Sequence, residues 1–365
     1  MKEKKVLFVA TVTGHINVFH LPFLKLFKDK GWKTYVATGD NNKVNDYCDK
    51  KYIISISRNP FKFNNIKAIK QLQKIINKEH FDIIHCHTPM GGVVARLAAR
   101  KARKNGTRVI YTAHGFHFFT GAPLKNWLLF YPIEKYLAKY TDTLITINKE
   151  DYNRAKNKFS KRCRDIQYVP GVGIDPKKFD FEMPEKEKHE LRASLGLKDD
   201  DFVMIFPARL DKNKNQGFLI ECMPELIKNN PKIHLLLPGQ DELNGKYQRQ
   251  AKKLGVENNV HFLGSRDDVP QLLKISDLAV SSSKREGLPV NILEAAICNK
   301  RIVVKRCRGL EEIVGDKNKE CIYENRDEFI NIIKNIETKG AYSINISSFT
   351  IKKVQAEMGK IYAFK

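Results

Sequence analysis

Along the chain, short runs of β-branched and aromatic residues alternate with stretches whose apolar residues recur at helical spacing. "KVLFVAT", "WKTYVAT", "YIISIS", "DIIHCH", "RVIYTAH", "DTLITI" and "IQYVP" read as buried strands, and "NIKAIKQLQKIINKEH" between two of them reads as an amphipathic helix. After "PGVGID" (170 to 175) and a charged stretch through Lys198, the alternation resumes. "FVMIFPARL", "KIHLLLPG", "VHFLGS", "LAVSSS", "RIVVKR" and "ECIYEN" form the second set of strands. Strand and helix taking turns predicts a parallel sheet, and the double series predicts two tandem Rossmann-like, doubly wound α/β domains. The boundaries are set at 1–170 and 171–340, with 341–365 a C-terminal crossover helix returning to the first domain. Ligands of such sheets are expected beyond the carboxyl ends of the strands, here in a cleft that the two domains face across.

Length and composition narrow this picture. A chain of 365 residues exceeds one ordinary core and suits two domains. With 42% hydrophobic and 29% charged residues it is globular, and no apolar run reaches the length of a bilayer span. The opening "MKEKKVLFVATVTGH" reads as a first strand ending at Gly14, not as a leader, so a cytoplasmic protein is expected. Seven cysteines without a Cys-x-x-Cys suggest neither a disulfide framework nor a zinc site. The formal charge of +24, from 65 Lys and Arg against 41 Asp and Glu, lies mostly in residues 1 to 180. Such a surface attracts nucleic acid, anionic lipid or a phosphorylated substrate, and charge alone does not choose among them.

Two loops carry the candidate chemistry. "PARLDKNKNQ" (207 to 216) leaves a strand with Arg209 and Lys214, a guanidinium fork and an ammonium able to neutralise a diphosphate. Taken alone it also reads as a solvated basic loop. "SSSKREGLPVNILEAA" follows a later strand, with Pro289 suited to a first helical turn, and unpaired amides at such a helix start make an anion site. Glu294 sits inside the apolar run of that helix, where a carboxylate is costly without a hydrogen-bond partner. It either caps a neighbouring backbone, pairs with a lysine, or accepts from ribose hydroxyls of a ligand whose phosphate lies at the helix start. Glu286, just outside the helix, would meet the group beyond the diphosphate.

Together, "Arg-Leu-x-x-x-Lys" (209 to 214) and "Glu-Gly-Leu-Pro-x-x-x-Leu-Glu-Ala" (286 to 295) resemble the donor site of the retaining family 4 glycosyltransferases of GT-B fold. "HTPMGGVVARLAAR" (87 to 100) and "VIYTAHGFHFFTGAP" (109 to 123) are similar to the acceptor-side domain of bacterial capsular and exopolysaccharide members, so the resemblance covers nearly the whole chain. It implies that Arg209 and Lys214 hold the nucleotide diphosphate, that Glu294 holds the ribose and that Glu286 contacts the donor sugar. Arg266, Gly287, Leu288 and Pro289 join them on the donor side. It further implies that His114 faces the donor sugar and Gly14 admits the donor phosphate; His114, Glu286, Arg209 and Lys214 are the catalytic set. His117, Trp127, Phe130 and Tyr131 are placed on the acceptor or membrane side. The pattern departs from the family at Asn215 and Gln216, where glycine usually follows the lysine, and in the single glycine of "ATVTGHI". It departs again in "CNKR", where Asn299 and Arg301 stand at the usual glycine and proline. Asparagine tolerates the left-handed conformation such a turn needs.

No metal is expected. "KDDDF" (198 to 202) precedes a strand instead of following one, "RDDV" (266 to 269) reads as a helix start, and His85 and His87 flank Cys86 without further ligands nearby. Packing is expected of His85 and a cleft-edge position of His87. No cofactor is expected beyond a UDP-linked sugar as co-substrate. The implied activity is transfer of a sugar, an N-acetylhexosamine, to a lipid-linked (polyprenyl-diphosphate) saccharide for bacterial surface polysaccharide. The protein is then peripheral on the inner face of the membrane, bound to anionic lipid through the basic first domain and the aromatic stretch 116 to 140. Two other readings are a nucleotide-sugar 2-epimerase of the same architecture and a basic RNA-binding protein. No RNA-binding motif occurs, and Glu286 with Glu294 would repel a phosphate backbone.

Overall fold

The computed structural model describes residues 3–163, 165–336 and 344–364, without the side chains of residues 316 and 317. The chain forms two compact units: Met1–Gly173 with Ile351–Lys365, and Ile174–Thr350. The expected boundary at 340/341 lies outside the described residues.

The first unit runs β1 (Lys5–Val9), α1 (Thr13–Phe19), α2 (Leu21–Asp29), β2 (Lys33–Thr38), β3 (Lys50–Ile53), α3 (Asn64–Glu79), β4 (Ile83–His87), α4 (Pro89–Lys104), β5 (Arg108–Ala113), α5 (Leu124–Leu137), β6 (Thr143–Thr146), α6 (Lys149–Phe159) and β7 (Asp165–Tyr168). Its sheet is parallel throughout, in the order β3-β2-β1-β4-β5-β6-β7. Strand β1 lies inside the sheet, and Val6 to Val9 are fully buried because helices cover both faces of a doubly wound sheet. Its register pairs Phe8 with Val36 on one side and His85 on the other. Helix α4 comes close to the sheet at Gly92, where any Cβ would meet the Tyr111 ring at 2.5 Å. That approach lets buried Arg96 stack on Tyr111 at 3.9 Å and pair with Glu134 of α5 at 2.9 Å.

The second unit runs α7 (Glu185–Ser194), β8 (Phe202–Ile205), α8 (Gln216–Asn229), β9 (Ile233–Pro238), α9 (Lys246–Lys253), β10 (Val260–Gly264), α10 (Val269–Ile275), β11 (Leu278–Ser281), α11 (Val290–Ile297), β12 (Arg301–Lys305), α12 (Arg308–Val314), β13 (Ile322–Tyr323) and α13 (Arg326–Lys334). Its parallel sheet has the order β10-β9-β8-β11-β12-β13. The order reverses between β8 and β11, so the loops leaving these two strands flank the switch point where such sheets bind ligands. Those are the loops that carry Arg209, Lys214, Glu286 and Glu294.

The last helix, α14 (Ile351–Tyr362), packs on the first unit, as the expected return predicts. Tyr362 ties it down: its hydroxyl lies 2.9 Å from His85 Nδ1, and its ring lies 4.5 Å from Phe27. His85 thus has a packing role, its other nitrogen bonded to Thr112 Oγ1 at 2.8 Å. His87 differs from expectation. It is fully buried, stacked on Phe8 and His20, because the end of β4 is roofed by the α1–α2 corner.

Candidate functional site

The loop after β8 is built around Asp211. Its Oδ1 accepts from the amides of Asn213 and Lys214 at 2.8 and 2.7 Å, a local turn that competes with helix and delays α8 to Gln216. Asn215 takes up the left-handed conformation, φ 58°, that starts α8. This explains why glycine commonly stands there and why asparagine serves. Buried Gln216 donates to the Arg209 carbonyl at 2.8 Å, and Gly239 lies against Ala208, where a Cβ would overlap the Ala208 carbonyl oxygen.

This loop is stitched to the loop after β11. Ser282 Oγ lies 2.9 and 3.0 Å from the Lys214 and Asn215 carbonyls, Lys284 N donates to Asn213 O, and Asn213 Nδ2 donates to Arg285 O. The result is an ion pair between Lys214 Nζ and Glu286 Oε1 at 2.6 Å, with both side chains largely buried. Arg308 Nε supports the same loop by donating to Glu286 O at 3.1 Å, and Gly309 admits Gly287 O at a distance no Cβ would allow.

Pro289 precedes α11 and is buried, while Gly287 and Leu288 are half-buried. The first amides of α11, on Val290 and Asn291, have no carbonyl one turn earlier within the helix to bond, which leaves a positive helix end shortly after Glu286, the partner of Lys214. Glu294 is one turn further in. No hydrogen bond from the described residues reaches its carboxylate, and burial pushes its pKa up to about 7, opposed only by the charge of Lys178. Of the three readings left open for Glu294, capping and lysine pairing are therefore not what the structure shows. Arg209 is exposed, its Nη1 held by Glu242 at 2.6 Å. Arg266 is also exposed and paired with Asp268, away from the Lys214–Glu286 pair in its hydrogen bonding. The aspartates of "KDDDF" are dispersed: Asp199 on His189, Asp200 on Lys232, and Asp201 on the Lys198 amide. At the other end of α11, Asn299 adopts φ 54° in the turn and Arg301 Nη1 donates to Ile336 O at 3.0 Å, giving the arginine a fastening role.

In the first unit, Gly14 lies exposed in the first turn of α1 with open space where a Cβ would stand. His114 follows β5, its Nε2 within 3.3 Å of His15 Nε2 and 3.4 Å of His87 Nδ1. Burial lowers the pKa of His15 to about 4 and those of His20, His87 and His114 well below the usual imidazole range. A largely apolar cavity of about 390 Å³ lies alongside, lined among others by His15, Arg58, Met90, Phe118 and Phe130. His117 lies on its wall with its ring 4.6 Å from Phe130. Trp127 and Tyr131 do not point outward from α5. They pack on Phe118 and Phe159, and the exposed large hydrophobic residues of that helix are Leu124, Leu128 and Tyr136.

Sequence reasoning missed Asp211, Asn213 and Ser282, whose roles lie in contacts between loops about 70 residues apart. It also missed His15 and His20; the signal was the pair at an interval of five in "GHINVFH", which a helical corner brings to one place.

Two family models match: "Glycosyl transferase 4-like" over residues 5–148 and "Glycosyl transferases group 1" over residues 187–350. A Bacillus subtilis protein named putative glycosyltransferase EpsD is 46% identical, over 86% of this chain and 81% of its own. An Escherichia coli protein named UDP-Gal:alpha-D-GlcNAc-diphosphoundecaprenol alpha-1,3-galactosyltransferase is 29% identical, over 88% and 87%. Among solved structures, Anabaena Alr3699/HepE in complex with UDP and glucose superposes with a TM-score of 0.78, covering 99% of this chain and 100% of that one at 21% identity, a likeness of fold.

Proposed function

Because this chain belongs to the family 4 glycosyltransferases of GT-B fold, we propose that it transfers a sugar from a UDP-sugar to a polyprenyl-diphosphate-linked saccharide, with retention of anomeric configuration, during assembly of a bacterial surface polysaccharide. The observation that carries the donor half is Glu294: a half-buried carboxylate without a hydrogen bond from the described residues, one turn inside a helix that follows the loop of the Lys214–Glu286 pair. A nucleoside diphosphate supplies what each group lacks. Its phosphates meet Lys214, Arg209 and the α11 amides, and its ribose hydroxyls donate to Glu294.

Transfer breaks the bond between the anomeric carbon and the β-phosphate oxygen and forms one from that carbon to the acceptor oxygen on the same face. The acceptor proton passes to the departing phosphate. Arg209, Lys214 and the helix amides stabilise the charge that grows on the leaving diphosphate, without a metal ion on it. Glu286 holds the sugar.

The acceptor half is supported by the relatives' printed substrates, two of which carry diphospho-undecaprenol, and by the first unit's surface. Phe61 and Phe63 stand exposed beside Arg58 and Pro60, which line the apolar cavity, on a unit rich in lysine. Among the described residues, no helix is long and apolar enough to cross a membrane, so surface attachment through these side chains is the mode proposed. Ligand-observed binding of a panel of nucleotide sugars, followed by transfer to a polyprenyl-diphosphate saccharide, tests both halves. Binding of UDP-sugars with no transfer to a lipid-linked acceptor would confine the reading to the donor.

A further inference from the structure

Four histidines from separate segments meet inside the first unit. His15 lies in α1, His20 joins α1 to α2, His87 ends β4 and His114 follows β5. One ring nitrogen of each lies within 4.8 Å of all the others. The contacts form a chain: His20 Nε2 to His15 Nε2 at 3.2 Å, His15 Nε2 to His114 Nε2 at 3.3 Å, and His114 Nε2 to His87 Nδ1 at 3.4 Å.

Hydrogen bonding among the rings accounts for only part of this. A neutral imidazole nitrogen offers either one N–H or one in-plane lone pair. Four such atoms in a chain can make two good hydrogen bonds, His20 with His15 and His114 with His87, and the middle contact is left without one. The outer atoms do not compensate, since His20 Nδ1 and His87 Nε2 are buried without a partner among the described residues. The His20 and His87 rings are buried and those of His15 and His114 half-buried, and neutral imidazole is the form that ligates a metal.

Part of the spacing matches a tetrahedral ion. Zinc–nitrogen bonds of about 2.0–2.1 Å put all six pairs of ligand nitrogens roughly 3.3 Å apart; three pairs already stand at that separation, and the other three, within 4.8 Å, must close towards it. The His20 and His87 rings, stacked at 3.7 Å, must also part by side-chain rotation for both to face one ion. Entry is open, because His15 is half-buried and lines the apolar cavity. We propose that His15, His20, His87 and His114 bind one divalent ion of imidazole-preferring, tetrahedral habit, Zn²⁺, which clamps the α1–α2 corner onto the ends of β4 and β5. All-nitrogen imidazole sets suit zinc, copper and nickel, and tetrahedral spacing favours zinc over the square-planar ions.

The test uses the full chain without a polyhistidine tag, stripped by chelator and titrated with Co²⁺. The expected result is the intense visible spectrum of tetrahedral cobalt, saturating at one equivalent, bleached by Zn²⁺, with Zn²⁺ raising the melting temperature of the stripped protein. His20→Ala and His15→Ala should each weaken Co²⁺ affinity by about tenfold or more and shrink the Zn²⁺-induced rise in melting temperature, since three histidines and a water can still complete a tetrahedron. His261→Ala, from the His234–His261 contact of the second unit, should keep them. Should buried His20→Ala not fold, half-exposed His15→Ala decides alone. Only the pale octahedral spectrum in the wild-type protein, or an undiminished Co²⁺ affinity in His15→Ala, overturns the proposal and leaves a cluster of mutually packed rings.

Discussion

Lys214 and Glu286 neutralise each other, Nζ to Oε1 at 2.6 Å, in a pocket formed by loops 72 residues apart. The pair keeps a buried carboxylate from being left without a partner, and it holds the ammonium on the loop that leads into α11. A diphosphate arriving there draws on a cation already held in place, so little reorganisation is needed when charge develops.

Replacing Lys214 by alanine is therefore expected to lower turnover by about 10²-fold or more, and Arg209→Ala to do the same. The two should differ in stability. Arg209 is exposed and its loss should leave the melting temperature nearly unchanged, whereas Lys214→Ala strands Glu286, 8% exposed, and should lower it. Wild-type turnover in either purified variant would remove that residue from the donor site.

The donor site is proposed to work without metal, while the histidine cluster is proposed to hold one. Excess EDTA should thus leave UDP affinity measured by calorimetry unchanged, yet lower the thermal stability of the first unit. Loss of UDP affinity on chelation, restored by manganese, would place a cation on the diphosphate.

Tyr362 is the only residue of α14 hydrogen-bonded to a buried histidine among the described contacts, and Tyr362→Phe leaves His85 Nδ1 unpaired. An unsatisfied buried polar atom costs about 1–3 kcal/mol. Denaturant unfolding should show a loss of that size, with UDP binding unaffected because Glu294, Lys214 and Arg209 belong to the other unit.

Phe61 and Phe63 stand out from the surface, 76% and 87% exposed. The double change Phe61→Ser, Phe63→Ser should weaken sedimentation with anionic vesicles, and rising salt should weaken it further. Vesicle binding that this change leaves intact would shift attention to Leu124 and Leu128 on α5.

How far the sequence foretold this molecule depended on how local the governing physics was. Both sheets were legible because buried parallel strands are short apolar runs, and the left-handed turn at Asn299 was legible because few side chains accept that backbone. The inward turn of Trp127 and Tyr131 was not, since α5 is apolar on several sides and only the position of Phe118 and Phe159 decides which face is covered. The histidine cluster was invisible for a similar reason. His87 looked like a residue at an open strand end until the α1–α2 corner, a long-range neighbour, closed over it.

Glu294 gives the sharpest test, because its two proposed properties have opposite pH dependence. In the ligand-free protein its pKa is raised from 4.5 to about 7 by burial, so the folded state binds its proton more tightly than the unfolded chain. Below pH 4.5 the acid is neutral in both states and costs nothing. As pH rises from 4.5 towards 7, the unfolded chain loses the proton first and the folded protein is progressively destabilised. Glu294→Gln should hence match the wild-type melting temperature near pH 4.5 and exceed it increasingly up to about pH 7, without further gain above. Binding runs the other way, since the ionised carboxylate is the better acceptor for ribose hydroxyls. Wild-type affinity for UDP should rise relative to Glu294→Gln as pH passes through 7, and the comparison cancels the titration of the nucleotide itself. A charged hydrogen bond worth roughly 1.5–3 kcal/mol corresponds to about tenfold or more in affinity at pH 8. Glu286→Gln should retain UDP affinity and lose sugar transfer. Equal loss of UDP affinity in both variants, or in neither, would end the division of labour between the two glutamates.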